Sequence, residues 1–406
     1  MSLPRVLLLT TYYFPVMGGV ETHARGLAAH LHRAGFSVRV VTKRVARNQA
    51  VDDVVDGVAV HRVPPAGERS GRGKWLAMPF MLARALGERR SSDVIVCVDY
   101  RGIGLAAVIA GRLTGQAVIV QAETAGVLAS PTGDVSDRSG VPPDAPWSRA
   151  IKAPIRAVYR MADHFVPIGH DIEREMLAAG VPRDRVHYLP HGVDVDGFRP
   201  AASSVERAAL RTTAGWPADR IVVLFVGRIS VEKGVLDVLE AWRALGPDDA
   251  LLVLVGPDMP GHRWDAGARG RAFVREHRLD ASVRFHGPAA DPAPLYRAAD
   301  LFVQPSHFEA FGLSAIEAMA SGVPIIASDV GGLRDFLVDG SNALLHPPRS
   351  PEALGAVLQR ALTDPALRLA LADEGRRTVV ERFDQRVLFT EYANLIVNAA
   401  RERRRG

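Results

Sequence analysis

Short apolar runs alternate with helix-patterned segments through nearly the whole sequence, and this alternation limits the fold more than any other feature. The first repeat has the apolar run Val6–Leu9, a glycine-containing turn, and a helix with Val20, Leu27 and Leu31 on one face. The pattern predicts an α/β fold with doubly wound parallel sheets that helices cover on both faces. Further strands of this first series are predicted at Ser37–Thr42, Val94–Val98 and Ala117–Gln121.

A second alternating series begins after the Pro190–Pro200 region. Two series of about 180 residues each indicate two doubly wound domains rather than one barrel. We place an N-terminal domain at residues 1–195 and a C-terminal domain at residues 196–383, with the Gly-, Pro- and Asp-rich segment His191–Ala202 as the linker. The predicted strands of the second series are Ile221–Val226, Leu251–Val255, Val283–Phe285, Leu301–Gln304 and Pro324–Ala327.

The segment Ala125–Arg149 interrupts the alternation. It is rich in proline, glycine and charged residues and contains no apolar periodicity. Loops of about 25 residues inside compact domains are usually functional lids or disordered segments. We interpret this one as a lid or an acceptor-binding loop, with a disordered loop as the alternative.

The charge balance excludes some partners. The chain has 50 Lys and Arg against 45 Asp and Glu, a net charge of +5, and most of these charges are interspersed. This balance predicts a solvated surface and no nucleic-acid partner. The arginines of the C-terminal end, Arg401 and Arg403 to Arg405, are clustered. They indicate a frayed charged tail or, alternatively, a peripheral contact with anionic lipid at the inner face of a membrane.

The compartment is predicted from the cysteine count and from the apolar runs. The single cysteine, Cys97, lies in an apolar strand, which indicates a buried structural thiol and excludes an internal disulfide. No apolar run reaches the roughly 18–20 residues that span a bilayer. The uncharged stretch Val6–Val20 resembles a signal peptide, but Pro15 and the Gly18-Gly19 pair interrupt it. We predict a cytoplasmic protein.

No standard nucleotide-binding fingerprint is present. The sequence has no G-x-x-x-x-G-K-[ST] motif, and its first turn, Met17 to Glu21, lacks the spaced glycines of G-x-G-x-x-G. The adjacent Gly18 and Gly19 nevertheless allow a close approach of the backbone to a ligand, and the helix behind them offers N–H groups to an anion. We take both glycines as candidate binding residues, with an ordinary tight turn as the alternative.

The second series opens with a sharper pattern. The strand Ile221–Val226 runs directly into Gly227-Arg228, and Lys233-Gly234 follows shortly after. Ligands of open parallel sheets bind beyond the carboxyl ends of the strands. Arginine offers a planar fork and lysine a point charge, so the two cations could clamp a pyrophosphate. The alternative is a pair of solvated surface cations.

Glu309 and Glu317 form the strongest motif. Glu309 follows the strand Leu301–Gln304, and Glu317 lies seven residues further on, inside a helix that starts near Gly312. Carboxylates accept hydrogen bonds from sugar hydroxyls. The alternative is that Glu309 is solvated and Glu317 only complements the helix dipole. The intervening backbone N–H groups suit a phosphate, and they belong to Phe311, Gly312, Leu313 and Ser314.

These motifs resemble those of retaining glycosyltransferases of family four, a group that includes glycogen synthases and mannosyltransferases and has the GT-B fold. The resemblance covers essentially the whole length. It implies two Rossmann-like domains that face each other across a cleft containing the active site, with the C-terminal helix 384–406 packed back on the first domain. It rests on four motifs in the same order: Gly18-Gly19-Val20-Glu21, His191-Gly192-Val193-Asp194, Gly227-Arg228 with Lys233-Gly234, and Glu309 with Glu317.

The resemblance also implies a role for each candidate residue. It implies that Arg228 and Lys233 bind the diphosphate of the donor. It implies that Glu317 binds the nucleotide ribose and that Glu309 binds the transferred sugar.

One position departs from the family pattern. Members often carry a histidine after the strand that matches Ala117–Gln121, and that histidine contacts the transferred sugar. Glu123 occupies this place here. We therefore count Glu123 among the catalytic candidates, and we expect a different sugar or acceptor rather than a loss of activity.

Several patterns resemble metal sites and are interpreted as coincidences. Asp194 and Asp196 spell a D-x-D motif, but they lie in the linker. His164, His170 and Glu173 have no further ligand at a useful spacing, and the same holds for His23 and His191. We predict neither a metal ion nor another cofactor.

The predicted activity is metal-independent transfer of a sugar, with retention of configuration, from a UDP- or GDP-sugar to an acceptor hydroxyl. The acceptor is a glycan, a lipid or a small natural product, and a lipid would suit the basic C-terminal end. Three alternatives stay open: a sugar-nucleotide epimerase, a nicotinamide-dependent dehydrogenase without the glycine fingerprint, and a nucleotide-sugar-binding protein that has lost catalysis, as Glu123 could indicate.

Overall fold

The computed structural model describes residues 3–16, 18–67, 71–126, 128 and 146–405, with the backbone alone for 71–74 and 146–152. Within these residues the strands are β1 (Val6–Thr10), β2 (Val38–Lys43), β3 (Asp52–Val55), β4 (Val58–Val63), β5 (Val94–Val98), β6 (Ala117–Ala122), β7 (His164–Pro167), β8 (Ile221–Val226), β9 (Ala250–Val255), β10 (Val283–Gly287), β11 (Leu301–Gln304), β12 (Ile325–Ser328) and β13 (Leu344–His346). The helices are α1 (Gly19–Arg33), α2 (Gly71–Gly87), α3 (Ile103–Thr114), α4 (Pro146–Tyr159), α5 (His170–Ala178), α6 (Ser204–Ala214), α7 (Val235–Leu245), α8 (Gly267–Glu276), α9 (Ala293–Ala298), α10 (Leu313–Ala320), α11 (Pro351–Thr363), α12 (Pro365–Arg382) and α13 (Gln385–Arg405).

The strands form two sheets, and the predicted doubly wound architecture is confirmed. The first sheet has the order β3-β4-β2-β1-β5-β6-β7, and the second has the order β10-β9-β8-β11-β12-β13. The strand pairs are parallel except β3 and β4, which are antiparallel. In each sheet the chain winds outward on one side of its first strand and then on the other, which is the double winding of Rossmann-like folds.

The chain divides into two compact units. The first unit contains residues 1–191 and 386–406, and the second contains residues 192–385. The domain boundaries predicted from the sequence, 195/196 and 383/384, lie within five residues of these two crossings. In the second unit, the backbone N–H of Val193 donates to Phe383 and that of Gln385 donates to Val193, so the two crossing segments run side by side.

Each unit has its own apolar core. In the first unit, β-branched residues of the central strands, such as Val6, Val40 and Val96, pack against α1 and against Phe389 and Ile396 of α13. In the second unit, the corresponding core joins β8, β9 and β11 with helices α7 and α11. The apolar face of the last helix, which the sequence shows, is therefore covered by the first sheet.

The predicted lid, residues 125–149, and the C-terminal arginines, residues 401–405, lie in or beside segments outside the described residues. Most of the predicted lid, residues 129–145 of Ala125–Arg149, lies outside the described residues, and its last four residues begin α4. The C-terminal arginines form the last turn of α13 rather than a frayed tail, and Arg403 and Arg404 pair with Asp163 and Asp93. Among the described helices, none combines the length and the apolar character needed to cross a bilayer.

Candidate functional site

The second sheet reverses its winding direction between β8 and β11, its two central strands. Loops leave these neighbouring strands in opposite directions, which opens a crevice at their carboxyl ends. The segment Gly227-Arg228 follows β8, and Pro305–Glu309 follows β11. The topology therefore brings together two motifs that are about 80 residues apart in the sequence.

The loops after β8 and β11 touch through their backbones. Gly234 has φ 69°, and a Cβ atom at this position would lie 1.8 Å from the carbonyl oxygen of Pro305, so glycine is required. The backbone N–H of His307 donates to the carbonyl of Glu232 over 2.8 Å. These contacts fix the short turn Val231–Lys233 against the loop that carries Glu309.

Lys233 and Glu309 form an ion pair at the centre of this crevice. Lys233 Nζ lies 2.5 Å from Glu309 Oε2, and the same oxygen accepts hydrogen bonds from Gln304 Nε2 at 2.9 Å and Ser306 Oγ at 3.2 Å. Burial raises the pKa of Glu309, but the charge of Lys233 and these hydrogen bonds outweigh it and hold the pKa below its usual value. Glu309 is therefore an ionised carboxylate whose described bonds all end on one oxygen.

Arg228 differs from Lys233 in its exposure. Its guanidinium lies 3.7 Å from Glu232, a loose ion pair, and 44% of its side chain is exposed. A loosely paired, half-exposed guanidinium keeps most of its five N–H donors for a ligand. Arg228 is thus placed to bind an anion at the end of β8.

The helix α10 begins at the same crevice. Gly312 caps it with φ 114°, and a Cβ atom there would lie 2.4 Å from Leu333 Cδ2. Leu313 and Ser314 form its first turn, whose N–H groups are free of intrahelical partners in any α-helix. Phe311 is 2% exposed and packs on Phe336 and Phe383, so only its backbone is available to a ligand.

Glu317 lies one turn further along α10 and has a partner that the sequence did not indicate. Its Oε2 accepts a hydrogen bond from Tyr296 Oη at 2.9 Å. Burial raises the pKa of Glu317 to about 7; the Tyr296 hydrogen bond opposes this, and Asp291 adds to it. The carboxyl group is half-protonated near neutral pH, so its charge changes with pH in this range.

A histidine–aspartate pair joins the loop after β11 to helix α7. His307 Nε2 lies 2.8 Å from Asp237 Oδ2, and both side chains are mostly buried. Asp237 lies in the first turn of α7, a helix that begins immediately after Gly234. This side-chain bond adds to the backbone contacts that already hold the loop after β11.

In the first unit, the equivalent reversal lies between β1 and β5. Gly18 caps α1 and accepts a hydrogen bond from the backbone N–H of Thr22 at 2.9 Å, and Gly19 is the first residue of the helix. Both glycines therefore lie in the connection that leaves the carboxyl end of β1, where the sequence analysis placed them.

Glu123 lies at the carboxyl end of β6 in a chain of buried polar groups. Its Oε1 accepts from Gln121 Nε2 at 2.7 Å, and its Oε2 lies 2.7 Å from His191 Nε2. Burial raises the pKa of Glu123, but the His191 charge and the hydrogen bonds outweigh it, so the pKa lies below its usual value. Both carboxylate oxygens are thus bound inside the protein.

The chain continues to His23 of α1. His23 Nε2 lies 3.1 Å from Gln121 Oε1, and because that oxygen only accepts, this nitrogen carries the proton. Burial, followed by the neighbouring His191, lowers the pKa of His23 to about 3, so the ring is neutral. Its buried Nδ1 has no hydrogen-bond partner among the described residues.

The patterns that resemble metal sites have local partners. Asp194 Oδ1 accepts hydrogen bonds from the backbone N–H groups of Asp196 and Gly197, both at 3.1 Å, which is an Asx turn. His170 binds Glu173 at 2.9 Å, and His164 binds His187 at 3.0 Å. Across the described part of the chain, no group of three His, Cys, Asp or Glu residues is placed to hold a metal ion.

Sequence reasoning missed Tyr296, Asp237 and His307 beside the crevice, and it missed the bond between Glu123 and His191. His307 lies inside the Glu309 motif, and His191 lies in a motif that carried the resemblance. These two histidines could have been found as polar residues of strand-end loops. Tyr296 and Asp237 lie on helices with apolar faces, and nothing in their local pattern marks them.

Two family models match the two halves of the chain. The family model described as Glycosyl transferase 4-like domain matches residues 18–192, and the one described as Glycosyl transferases group 1 matches residues 206–378. The D-inositol 3-phosphate glycosyltransferase of Xylanimonas cellulosilytica is 31% identical over 407 residues, which is 94% of this chain and 93% of that protein.

Two further proteins extend the comparison. The GDP-mannose-dependent alpha-mannosyltransferase of Mycolicibacterium smegmatis is 32% identical and covers 84% of each chain. Among solved structures, the sucrose-phosphate synthase of Thermosynechococcus elongatus superimposes with a TM-score of 0.80 at 25% identity, covering 96% of this chain and 98% of that one.

Proposed function

The chain belongs to the group 1 glycosyltransferases of family four, which have the GT-B fold, and from this premise we propose that it transfers a sugar from a nucleotide-diphosphate sugar to an acceptor hydroxyl, with retention of configuration and without a metal ion. The observation that carries the proposal is the crevice between β8 and β11. It combines a half-exposed Arg228, the Lys233–Glu309 ion pair and the start of α10.

The diphosphate lies against Arg228, Lys233 and the first N–H groups of α10. As the bond between the sugar C1 and the phosphate oxygen breaks, negative charge grows on the leaving phosphate. Groups that are already held in place stabilise that charge without reorganising. Lys233, which Glu309 holds in place, together with Arg228 and the helix N-terminus supplies the positive charge that a metal ion supplies in other transferases.

The two carboxylates bind the hydroxyl groups of the donor. Glu309 Oε1 has no hydrogen bond among the described residues and accepts from the transferred sugar. Glu317 accepts from the ribose while Tyr296 holds its other oxygen. The acceptor hydroxyl attacks C1 on the face that the phosphate leaves, and its proton passes to an oxygen of the departing phosphate.

The relatives suggest the class of donor and acceptor. One relative is named for GDP-mannose, and several are named for D-inositol 3-phosphate, a phosphorylated polyol. We propose a UDP- or GDP-sugar as the donor. We propose a glycan, a lipid or a small polyol-like natural product as the acceptor, with peripheral membrane contact where the acceptor is a lipid.

A thermal-shift series with UDP, GDP, ADP and their sugar conjugates tests the donor site. A ligand that binds only the folded protein raises Tm by mass action. We expect one nucleotide series to raise Tm, Arg228→Ala to abolish the shift, and Arg243→Ala, which removes an exposed arginine of α7, to preserve it. No shift with any nucleotide, or equal shifts in the two variants, would contradict the assignment.

Two further measurements test the chemistry. The coupling constant of the product's anomeric proton by NMR reports retention, and an inverted product would contradict it. Turnover with a metal chelator in excess reports metal independence, and activity that disappears with chelator and returns with a divalent ion would contradict it.

A further inference from the structure

Three neighbouring strands of the first sheet lead to polar residues at the same level of its carboxyl edge. The register pairs Thr10 of β1 with Thr42 of β2 on one side and with Val98 of β5 on the other. The backbone N–H of Lys43 donates to the carbonyl of Thr11 at 3.1 Å, so β2 and β1 stay paired one residue beyond this level. The three residues at that next level, which we call the edge row, are Lys43, Thr11 and Asp99.

The edge row belongs to the face of the sheet opposite α1 and α13. Side chains alternate between the two faces of a strand. Val40 of β2 and Leu8 of β1 belong to the core under α1 and α13, and Lys43 and Thr11 lie three residues further along the same strands. The same step separates the third member of the row from a core valine of β5. In agreement, Lys43 Nζ donates to the carbonyl of Gly67, shortly before α2 begins.

Lys43 is a buried cation without an acidic partner among the described residues. It is 2% exposed, and burial lowers its pKa with no carboxylate to oppose the effect. Its Nζ donates to the carbonyls of Gly67 at 2.8 Å and Arg44 at 3.3 Å, and it lies 5.9 Å from the Tyr12 ring, at the outer limit of a cation–π contact. An ammonium group has three N–H donors, and a buried charge is costly unless it is paired. Lys43 therefore keeps one donor and its full charge for an anion.

The neighbouring Thr11 carries a second unused donor. The residue is 1% exposed, and its Oγ1 has no hydrogen-bond partner in the described part of the chain. A buried hydroxyl without a hydrogen bond destabilises the fold, so a valine would be the more stable residue here. The unused donors of Lys43 and Thr11 lie on neighbouring strands, about 4.8 Å apart, which is close enough to bind one oxyanion together.

Asp99 gives the other end of the edge row the opposite charge. It lies beyond Thr11, two strand spacings or about 10 Å from Lys43, and it is partly exposed. Its φ of 59° is left-handed, which is costly for a residue other than glycine. The backbone N–H of Gly102 donates to Tyr159 Oη at 2.9 Å and helps to hold this turn. A carboxylate kept in a strained turn at a strand end is suited to accept hydrogen bonds from hydroxyl groups of a ligand.

We propose that the edge row binds an acceptor that carries a phosphate or a carboxylate, with this anion on Lys43 and Thr11 and with hydroxyl groups of the same acceptor on Asp99. The assignment to the acceptor rests on the proposed function, in which the second unit binds the diphosphate of the donor. The opposite charges at the two ends of the row fix the direction in which the acceptor lies. A neutral acceptor leaves Lys43 unpaired, so the row selects against it.

Inorganic phosphate tests the anion site before an acceptor is known. Thermal shifts of the full chain are compared in phosphate and in sodium chloride of equal ionic strength, with UDP or GDP present to fill the donor site. Phosphate is expected to raise Tm beyond chloride, and Lys43→Met to weaken its affinity about tenfold or more. Arg243→Met, which removes an exposed cation, is expected to keep the full response. No response in the unchanged protein would overturn the proposal. A response that persists in Lys43→Met would do the same, and it would leave Lys43 only the task of holding the loop before α2.

The other two members of the row separate binding from folding. Thr11→Val loses no bond within the protein, so we expect an unchanged free energy of unfolding in urea and a phosphate affinity about threefold or more weaker. Thr212→Val, on the exposed side of α6, is the control and should change neither quantity. Asp99→Asn retains a residue that tolerates the left-handed backbone, and it should not weaken phosphate binding, because it removes a nearby negative charge. A less stable Thr11→Val with unchanged phosphate affinity, or weaker phosphate binding in Asp99→Asn, would contradict the arrangement.

Matched pairs of compounds link the site to the acceptor and identify the anion. Glucose is compared with glucose 6-phosphate and with glucuronate, and myo-inositol with its monophosphate. The readout is kcat/KM where a compound is glycosylated and the thermal shift where it is not. We expect an anionic member to be preferred about tenfold or more, and Lys43→Met to remove the preference. A preference for the neutral members, or one that persists in Lys43→Met, would overturn the proposal. Arg228→Ala should abolish the nucleotide shift and keep the phosphate response, so failure of the donor site is distinguishable from failure of the edge row.

Discussion

Glu309 and Glu123 are the same chemical group and both lie beyond the carboxyl end of a parallel strand, β11 in one unit and β6 in the other, yet their surroundings differ. Each follows a parallel strand at the carboxyl edge of its sheet, and each pairs with a basic residue, Lys233 or His191. In both, burial raises the pKa of the carboxyl group, but the basic partner and the hydrogen bonds outweigh burial and hold the pKa below its usual value. The local chemistry alone would give both carboxylates the same role.

The two carboxylates differ in how many of their oxygens accept hydrogen bonds within the protein. The three bonds of Glu309 all end on Oε2, and 13% of its side chain is exposed. Glu123 has one oxygen on Gln121 and the other on His191, with 5% exposed. An occupied, buried carboxylate stabilises its own surroundings, whereas a carboxylate with a free oxygen can bind a ligand. From this difference we expect substrate contact at Glu309 and a structural role for Glu123.

Lys233→Met gives the largest expected effect, because it removes the cation from both the ion pair and the proposed diphosphate site while keeping the apolar stem. We expect kcat/KM to fall about 10²–10³-fold, as for loss of one preorganised group that stabilises transition-state charge. Steady-state kinetics measure this. Arg243→Met, an exposed cation of α7, is the control, and equal activity of the two variants would refute the role of Lys233.

Glu123→Gln tests the other side of the comparison and acts mainly on stability. The amide keeps the shape but removes the ion pair with His191, so we expect the free energy of unfolding in urea to fall by about 1–3 kcal/mol. Because the folded pKa lies below the unfolded one, this difference is present above pH about 4.5 and declines as the pH falls through the folded pKa.

The kinetics of the same variant decide the role of Glu123. We expect kcat to change less than about tenfold, with Glu240→Gln on the exposed face of α7 as the control. A loss of turnover comparable to that of Lys233→Met, with unchanged stability, would return Glu123 to the catalytic role that the sequence indicated.

The strands that the sequence predicted correctly are those with continuous apolar runs. Val94–Val98, Ile221–Val226 and Leu301–Gln304 have the predicted bounds, because central parallel strands are buried on both faces. Missed strands lack this signal: β3 begins with two exposed aspartates, and β7 is a four-residue strand that contains histidine and proline. Edge position and shortness hide a strand from periodicity.

The residues of the candidate site could be predicted where they belong to a local sequence motif. Their contacts could not be predicted where they depend on which strands are neighbours in the sheet. Arg228, Lys233 and Glu309 were found because each follows an apolar run, but their contact requires β8 to lie beside β11. The partners of Glu123 and Glu317, 68 and 21 residues away, likewise depend on packing. Alternation of strands and helices predicts the class of sheet and leaves the order of its strands open.

Glu317 gives donor binding an expected pH dependence. Its pKa is raised to about 7, and the ribose hydroxyls donate to the ionised form, so the donor Kd should increase as the pH falls below 7, approaching tenfold per unit. Glu317→Gln should flatten this dependence, and Glu240→Gln should leave it unchanged. Titrations of donor affinity measure it, and an identical slope in Glu317→Gln would place the titrating group elsewhere.

The same shift predicts a change in stability without ligand. A folded pKa above the unfolded one stabilises the fold below pH about 4.5, and this contribution disappears as the pH rises through about 7. Glu317→Gln should therefore raise the free energy of unfolding more at pH 8 than at pH 5, relative to the unchanged chain. A gain that is independent of pH would show that the carboxyl group is not the cause.

The smallest effect is expected at His307, which touches the site only through its neighbours. His307→Ala removes the 2.8 Å bond to Asp237, which joins the loop after β11 to α7, and we expect kcat/KM to fall a few fold, about 1 kcal/mol. If His307 acts only by positioning Lys233 and Glu309, the effect should shrink when Lys233→Met is already present, because neighbouring residues of one network are not additive. A double-mutant cycle measures this coupling. Full additivity would mean that His307 contributes independently of the Lys233–Glu309 ion pair. The difference between Glu309 and Glu123 would then not depend on the bond between His307 and Asp237.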